Sequence, residues 1–416
     1  MNSSTNELDA LLARFDRNAH RGGDISLEPI QTLLERLEHP QDRFPPVIHI
    51  AGTNGKGSTA AFIRSMAEAA GLRVHISTSP HLVRVNERIR LAGHLIDDAY
   101  LLDCCQRAAE ASEGVTTSYF ELTFAAAALA FSEISAELLV LEVGLGGLLD
   151  ATNIVEAPAV SVITPIALDH RAILGNTVAQ IAYKKAGIIK SRRPVVSARQ
   201  ASDAAGVISE EAFAKSAPLY VLSPEDLEAV SGPIGLIGSH QRENAALAAK
   251  ALKVWDSGAI DQASVRAGLK DVYWPARMQK LAAGPLTEQF QPLEIWLDGG
   301  HNAHGAQAIA SIISDLPGRT ALIVSMLETK DASAYFEALA PTGATILACP
   351  LATSQASYQP AHLADLARAA GLPATAERSF EVALSEAQIK GFDRAVICGS
   401  LYTAGAVLQS NNEAPS

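Results

Sequence analysis

Short apolar runs alternate with helical stretches along most of the chain. Val47-Ile48-His49-Ile50 has the length of a buried strand, and an alanine-rich helical pattern follows it. Residues 6–15 and 28–37 carry helical spacing ahead of that strand. Residues 73–76 predict a second strand, which ends at Ser77-Thr78-Ser79-Pro80. A helix of small residues, 121–132, precedes an apolar run at 138–143, and residues 159–166 predict a further strand leading to Asp169-His170. Strands alternating with helices imply a mostly parallel sheet covered on both faces. Ligands of such sheets bind outside the carboxyl ends of the strands, where Lys56, Thr78, Glu142 and His170 all fall.

The pattern breaks at residues 272–279, VYWPARMQ, and restarts on a smaller scale. Strands are expected at 294–297, 320–326, 344–348 and 394–398, with a helix at 305–316. The reading is two α/β domains, 1–274 and 275–416, and a polar tail from Gln409 onward.

Composition narrows the class. The 416 residues are 48% hydrophobic and 19% charged, the profile of an enzyme-sized globular protein. A formal charge of -12 argues against a nucleic-acid or anionic-membrane surface, but not against a local basic pocket. The four cysteines lack metal-ligand spacing, and adjacent Cys104 and Cys105 suit reduced thiols better than a disulfide. No signal-peptide core or membrane-length run is present, so a cytoplasmic protein is expected.

The strand-to-helix segment HIAGTNGKGSTAAF carries the first chemistry. Glycine-freed N–H groups and a helix N-terminus favour an anion there, and Lys56 adds a point charge. The usual phosphate loop has a hydroxyl directly after its lysine; here that position is Gly57, so a metal must be held elsewhere. Glu142, closing an apolar strand, is costly unless paired or metal-bound, and magnesium suits its hard oxygens. A carboxylate exposed at the strand mouth is the plainer alternative. His170 alone would read as a satisfied core histidine, and Lys184 and Lys185 as a solvated helix edge. Arg84, Arg88 and Arg90 beside Glu87 are either surface charge, an anionic-substrate patch, or a means of ordering their loop.

Ten segments in order, AGTNGKGS, TSPHLVRVNERIR, SYFELTFAAAALAF, LEVGLGGLLDATN, ITPIALDH, IAYKKAGIIK, GSHQRENAALA, WPARMQ, WLDGGHNAHG and CGSLYTAG, carry a wider resemblance. The chain resembles the dihydrofolate synthase/folylpolyglutamate synthase family of the Mur-ligase superfamily. That resemblance implies a P-loop, Mur-ligase-like parallel-sheet ATPase domain and a smaller Rossmann-like C-terminal domain. It assigns ATP to Gly52, Thr53, Asn54, Gly55, Lys56, Gly57 and Ser58, with Asn244, Arg277, Asp298 and His301, and implies closure of the two domains over the nucleotide. One magnesium ion is implied at Thr78 and Glu142. A second is implied at His170 and Lys185, the lysine carrying a carbamate, with K+ as an accessory cation. A carbamate turns a repelling ammonium into an oxygen ligand. The pterin side is assigned to Gly22, Gly23, Asp24, Ser118, Phe120 and Asp150.

The implied reaction joins L-glutamate to dihydropteroate, and to the γ-carboxylate of folates, through an acyl phosphate. Lys56, His170 and Lys185 are its catalytic residues, and the expected state is a monomer without nucleic-acid or membrane partners. Two departures stand out. Leu148 replaces the arginine of the usual GGRLDATN, and Ala276 replaces the glycine usual in WPARMQ. The first predicts that folate extension is weaker than dihydropteroate use. The alternatives are a dedicated folylpolyglutamate synthase, a peptidoglycan-type amino-acid ligase, or a regulatory NTPase. With only about 45 residues before the first strand, the N-terminal domain of the peptidoglycan type is not expected.

Overall fold

The structure is a computed structural model that describes residues 3–16, 26–351 and 356–415. The chain divides into two compact units, Met1–Ile234 with Arg242–Val272, and Gly235–Gln241 with Tyr273–Ser416.

The first unit is built on eight strands: β1 Val47–Ala51, β2 Val74–Ser77, β3 Ile89–Leu91, β4 His94–Leu95, β5 Leu138–Glu142, β6 Val160–Ile163, β7 Val195–Ser197 and β8 Leu219–Val221. Their order is β4-β3-β2-β5-β1-β6-β7-β8. The run from β2 to β8 is parallel, and β3 and β4 add an antiparallel edge. Every residue of β1 and β5 is buried, which is why both read as unbroken apolar runs rather than alternating ones. In register, Ile50 stands beside Glu142 and Val162. The carboxyl ends of β2, β5, β1 and β6 therefore form one contiguous row.

Strand β6 is shorter than the run at 159–166 predicts. The ladder's last bond is Thr164 N to Ala51 O at 2.8 Å; Pro165 has no N–H to continue it. His170 is consequently seven residues past the strand, not directly at its end. The short strands β3, β4, β7 and β8 went unread because two or three residues show no period.

Helix packing fixes the loop after β1. The helix Lys56–Ala69 lies against Gln262–Asp271 so closely that a Cβ on Gly268 would sit 2.4 Å from Met66 Cα. Ser65 Oγ donates to Gly268 O at 2.8 Å across that contact. The helix Tyr119–Glu133 is buried from Leu122 to Phe131, as its small residues allow, and begins at a reciprocal Ser118–Glu121 cap.

The second unit holds β9 Gln279–Lys280, β10 Glu294–Leu297, β11 Thr320–Val324, β12 Thr345–Ala348, β13 Ala374–Ala376 and β14 Arg394–Cys398. Their order is β13-β12-β11-β14-β10-β9, parallel apart from β9. Trp296, Leu322, Ile346 and Val396 enter a core filled from the helices by Ile309, Tyr335 and Phe336. Among the described residues no helix is long and apolar enough to cross a membrane.

Candidate active site

The loop after β1 needs glycine at two points. Gly52 has φ +150°, and a Cβ there would lie 1.8 Å from Thr164 Oγ1. Gly55 has φ +86°, the left-handed region, and a Cβ would meet Asn244 Oδ1 at 2.4 Å. Asn244, from the helix Ser239–Trp255, thus lies directly on the loop. Thr53 N and Asn54 N both donate to Pro165 O, at 3.0 and 3.3 Å. Thr53 Oγ1 donates to Ala167 O at 3.0 Å and accepts from Ala167 N at 3.1 Å, so its hydroxyl ties the loop to the segment leading to His170. Gly57 and Ser58 open the following helix, where Ser58 Oγ is buried without a hydrogen-bond partner. An orphaned hydroxyl beside a glycine cradle at a helix N-terminus fits a phosphate.

Electrostatics make the same demand. Lys56 Nζ is 3.9 Å from Glu142 Oε1 and 3.4 Å from Thr53 O. Lys185 is buried, with Nζ 2.7 Å from Gly52 O. Burial first, and then the charge of Lys56, lower its pKa to about 7, against opposing pulls from Asp169 and Asp150. Lys56, beside Glu142, and Lys185 set two amines at one loop, a setting that suits a polyphosphate.

Glu142 ends β5 at 6% exposure, and its Oε2 accepts from Ser79 N at 3.2 Å. Thr78 is one residue past β2, its N bonded to Arg88 O at 3.0 Å and its hydroxyl 3.5 Å from Glu87 O. The structure thus brings Thr78, Glu142 and Lys56 together. His170 takes a left-handed conformation (φ 49°) ahead of the short helix Arg171–Leu174, its ring about half exposed and Nε2 4.0 Å from Asp169 Oδ1. No group of three His, Cys, Asp or Glu side chains among the described residues could hold a metal ion alone. Magnesium bound with a nucleotide needs no such cage, since phosphate and water fill most of its shell. Glu142 and Thr78 fit it as partial ligands. His170 and an unmodified Lys185 make a thinner set, which a carbamate would complete.

Glu87 orders the loop that carries the arginine cluster. The Glu87 carboxylate accepts from Leu82 N, Val83 N and Arg84 N at 2.7, 2.8 and 2.6 Å. Arg84 pairs with Asp98, and Arg90 donates to Gly93 O at 3.0 Å. Arg88 Nε donates to His81 Nδ1 at 2.9 Å, and its guanidinium stands 5.2 Å from the Tyr119 ring centroid.

Of the pterin-side residues, Gly22, Gly23 and Asp24 lie outside the described residues. The other three converge on the glycines behind Glu142. Phe120 packs where a Cβ on Gly144 would be 2.7 Å from its ring. Ser118 caps the helix that carries Phe120, its hydroxyl 2.6 Å from Glu121 Oε2. Asp150 is buried and accepts from Leu145 N at 2.8 Å and from Thr152 N and Oγ1 at 3.0 and 2.6 Å. Those bonds make it an organiser of its own loop.

In the second unit Arg277, Asp298 and His301 form a separate group past β10. Burial raises the Asp298 pKa, opposed by Arg277. Its carboxylate accepts from Met278 N at 2.9 Å and Gly300 N at 2.7 Å. His301 Nδ1 donates to Gly299 O at 3.1 Å, and a Cβ on Gly299 would meet Arg277 Nη1 at 2.7 Å. Sequence reasoning passed over Thr164, whose Oγ1 backs Gly52 and lacks a partner, although it lies in the ITPIALDH segment.

Sheet, glycine loop and strand-end acid define a Mur-type ligase, and residues 50–217 match the Mur ligase middle domain. Over its whole length the chain is similar to more specific proteins. Folylpolyglutamate synthase of Lacticaseibacillus casei is 31% identical over 441 residues, covering 97% of this chain and 98% of its own length. The structure of E. coli FolC in complex with DHPP and ADP aligns at TM-score 0.86 and 27% identity, covering 98% of each chain. A bifunctional folylpolyglutamate synthase/dihydrofolate synthase with Mn, AMPPNP and L-glutamate bound aligns at TM-score 0.84 and 27% identity, covering 98% of this chain and 99% of its own. The chain belongs to the folylpolyglutamate synthase family, ATP-dependent ligases acting on small-molecule substrates.

Proposed function

We propose that this protein is a bifunctional ligase, adding L-glutamate to dihydropteroate to give dihydrofolate and to the γ-carboxylate of folates. The observation that carries this reading is a glycine cradle flanked by two lysines, Lys56 beside the buried carboxylate Glu142 and Lys185 on Gly52 O. Such a site is built for a nucleotide triphosphate and its cation.

The substrate carboxylate attacks the γ-phosphorus of ATP, ADP leaves, and an acyl phosphate results. The amine of glutamate then adds to the acyl carbon, loses its proton, and expels inorganic phosphate. Bound magnesium would neutralise charge on the moving phosphoryl group. Lys56 neutralises the terminal phosphates; the loop N–H groups and Ser58 hold them; Glu142 and Thr78 orient the cation. Asn244 borders the loop.

Lys185 is suited to carbamate formation. With a pKa lowered to about 7, much of it is a neutral amine near neutrality. Its nitrogen can add to carbon dioxide and release a proton, leaving an anionic oxygen ligand beside His170. The finer reading also makes the protein a cytoplasmic monomer.

The deciding experiment supplies purified protein with ATP, magnesium, labelled glutamate and either dihydropteroate or tetrahydrofolate. Glutamate-dependent ADP release with both acids is expected, dihydropteroate being the faster. Activity with tetrahydrofolate alone would leave a dedicated folylpolyglutamate synthase. ATP hydrolysis independent of glutamate would overturn the ligase reading.

A further inference from the structure

The helices Arg171–Leu174 and Val178–Ala186 border a cavity of about 510 Å³, which none of the roles above uses. Its walls are the two elements that carry the second set of candidate cation residues. The carbonyl of His170 accepts from Ile173 N and Leu174 N at 2.9 Å each, so the first wall starts at that histidine. On the other wall Lys184 precedes Lys185, whose own Nζ turns to Gly52 O instead. Lys184 also borders the glycine segment after Glu142. Its carbonyl accepts from Leu148 N at 2.7 Å, and a Cβ on Gly146 would lie 3.0 Å from Leu174 Cδ2 and 3.9 Å from Lys184 Cβ. The cavity therefore borders the segments that carry His170, Lys185 and the glycines after Glu142.

Its lining has a definite chemistry. Ile173, Leu174 and Ala179 supply apolar surface, with Ile173 49% exposed although nothing covers it among the described residues. The polar side chains offer donors. Gln180 Oε1 is already occupied by Asn176 N at 2.7 Å and Thr177 N at 3.3 Å, which leaves its NH2 group. Tyr183 brings an exposed phenol, and Lys184 an ammonium with no acidic partner among the described residues. No carboxylate lines the cavity. Apolar walls with donor-only polar groups suit a ligand that has a methylene stem and a carboxylate head.

We infer that this cavity is the subsite for the glutamyl group already carried by folate-type substrates. The free α-carboxylate rests on Lys184, and the methylenes lie along Ile173 and Leu174. The inference rests on the ligase reading above and deepens it, because dihydropteroate has no glutamyl group to fill the site. It also gives Leu148 a context: positive charge at this point comes from the adjoining helix, not from the GGLLD segment.

The test is calorimetric binding of pteroate, pteroylglutamate and pteroyldiglutamate to the full chain loaded with ADP. The wild type should bind the glutamylated ligands about 10-fold more tightly than pteroate, and Lys184→Ala should abolish that difference. Lys184→Arg should keep most of it, and Ile173→Glu should weaken the glutamylated ligands by placing a like charge on the wall. ADP and pteroate affinities should stay constant throughout. An unchanged preference in Lys184→Ala, or an equal loss for pteroate and pteroylglutamate, would overturn the subsite, as would failure of the wild type to prefer the glutamylated ligands. Turnover is read separately. A protein that turns over dihydropteroate alone would refute folate extension, while the binding difference would still decide the subsite.

Discussion

The two units load the ends of parallel strands with glycine, yet they use it in opposite ways. After β1, Gly52 and Gly55 bend the chain around an open cradle beside Lys56, Lys185 and the unpartnered Ser58 hydroxyl. After β10, Gly300 brings its backbone N–H onto the chain's own acid, Asp298, while Gly299 N donates to Ala276 O. The first arrangement leaves a buried hydroxyl without a partner beside two lysines, an opening that a ligand can fill. The second satisfies itself, and Asp298 acts as a small internal cap that holds Met278 and Gly300 in place. The same architecture thus yields a receptive site in one unit and a preset platform in the other.

The sharpest way to break this comparison is to remove one charge from each site. Lys56→Ala or Glu142→Gln should lower turnover by about 10³-fold or more, with a smaller change in melting temperature than loss of Asp298, since a glutamine at 142 can still accept from Ser79 N. Asp298→Ala should instead lower stability by about 2 kcal/mol, because two N–H groups near it lose their acceptor. Thermal melts and steady-state rates on the three variants are the check. An unchanged melting temperature for Asp298→Ala would show that the platform is not self-sustaining.

Lys185→Ala should lose about 10²-fold in rate, and a short carboxylic acid added to the assay should restore part of it by standing in for the carbamate. No rescue, together with an unmodified lysine in crystals grown with ATP and magnesium, would remove the carbamate from the mechanism.

A smaller effect concerns acid stability. His49, wholly buried in β1, has a pKa lowered to about 3, by burial first and then Lys190. Its Nε2 lies 2.9 Å from Thr152 Oγ1, whose proton goes to Asp150, so the ring nitrogen is the donor. The unfolded chain takes up this proton below about 6.5 while the folded protein refuses it. Stability is therefore full above that pH and falls as the pH drops toward 3, by about 2 kcal/mol at pH 5 from this residue alone. Denaturant melts from pH 7 to 4 should show a shallower decline for His49→Gln. In the second unit, His240, lowered to about 4 by burial and then Arg277, should contribute in the same direction.

The smallest expected effect is a gain. Ala276 has φ 54°, a conformation that costs a residue with a Cβ about 1 kcal/mol. Ala276→Gly should raise stability by roughly half that, the rest being offset by the greater freedom of glycine in the unfolded chain. A lower melting temperature would mean that the Cβ makes a compensating contact.

Much of this protein was legible in one dimension. The buried strands β1 and β5 show as apolar runs because helices cover both faces, and the loop residues Gly52 to Ser58 are contiguous, so their chemistry needs no folding to be recognised. Ten ordered segments were enough to identify the family. Other features exist only after folding. The tie between the Thr53 hydroxyl and Ala167, 114 residues away, is one of them. Glu87, set among Arg84, Arg88 and Arg90, gathers three backbone N–H groups into a turn that the sequence does not display. The lowered pKa of Lys185 has no counterpart in IAYKKAGIIK. Burial and the charge of Lys56 produce it, and both are properties of distance. Composition and order along the chain determined the class of catalyst, because strands, loops and motifs are local. Which hydroxyls are already occupied, which lysine is buried and which neighbouring lysine faces a cavity depend on contacts between distant segments, and tertiary structure alone decided those.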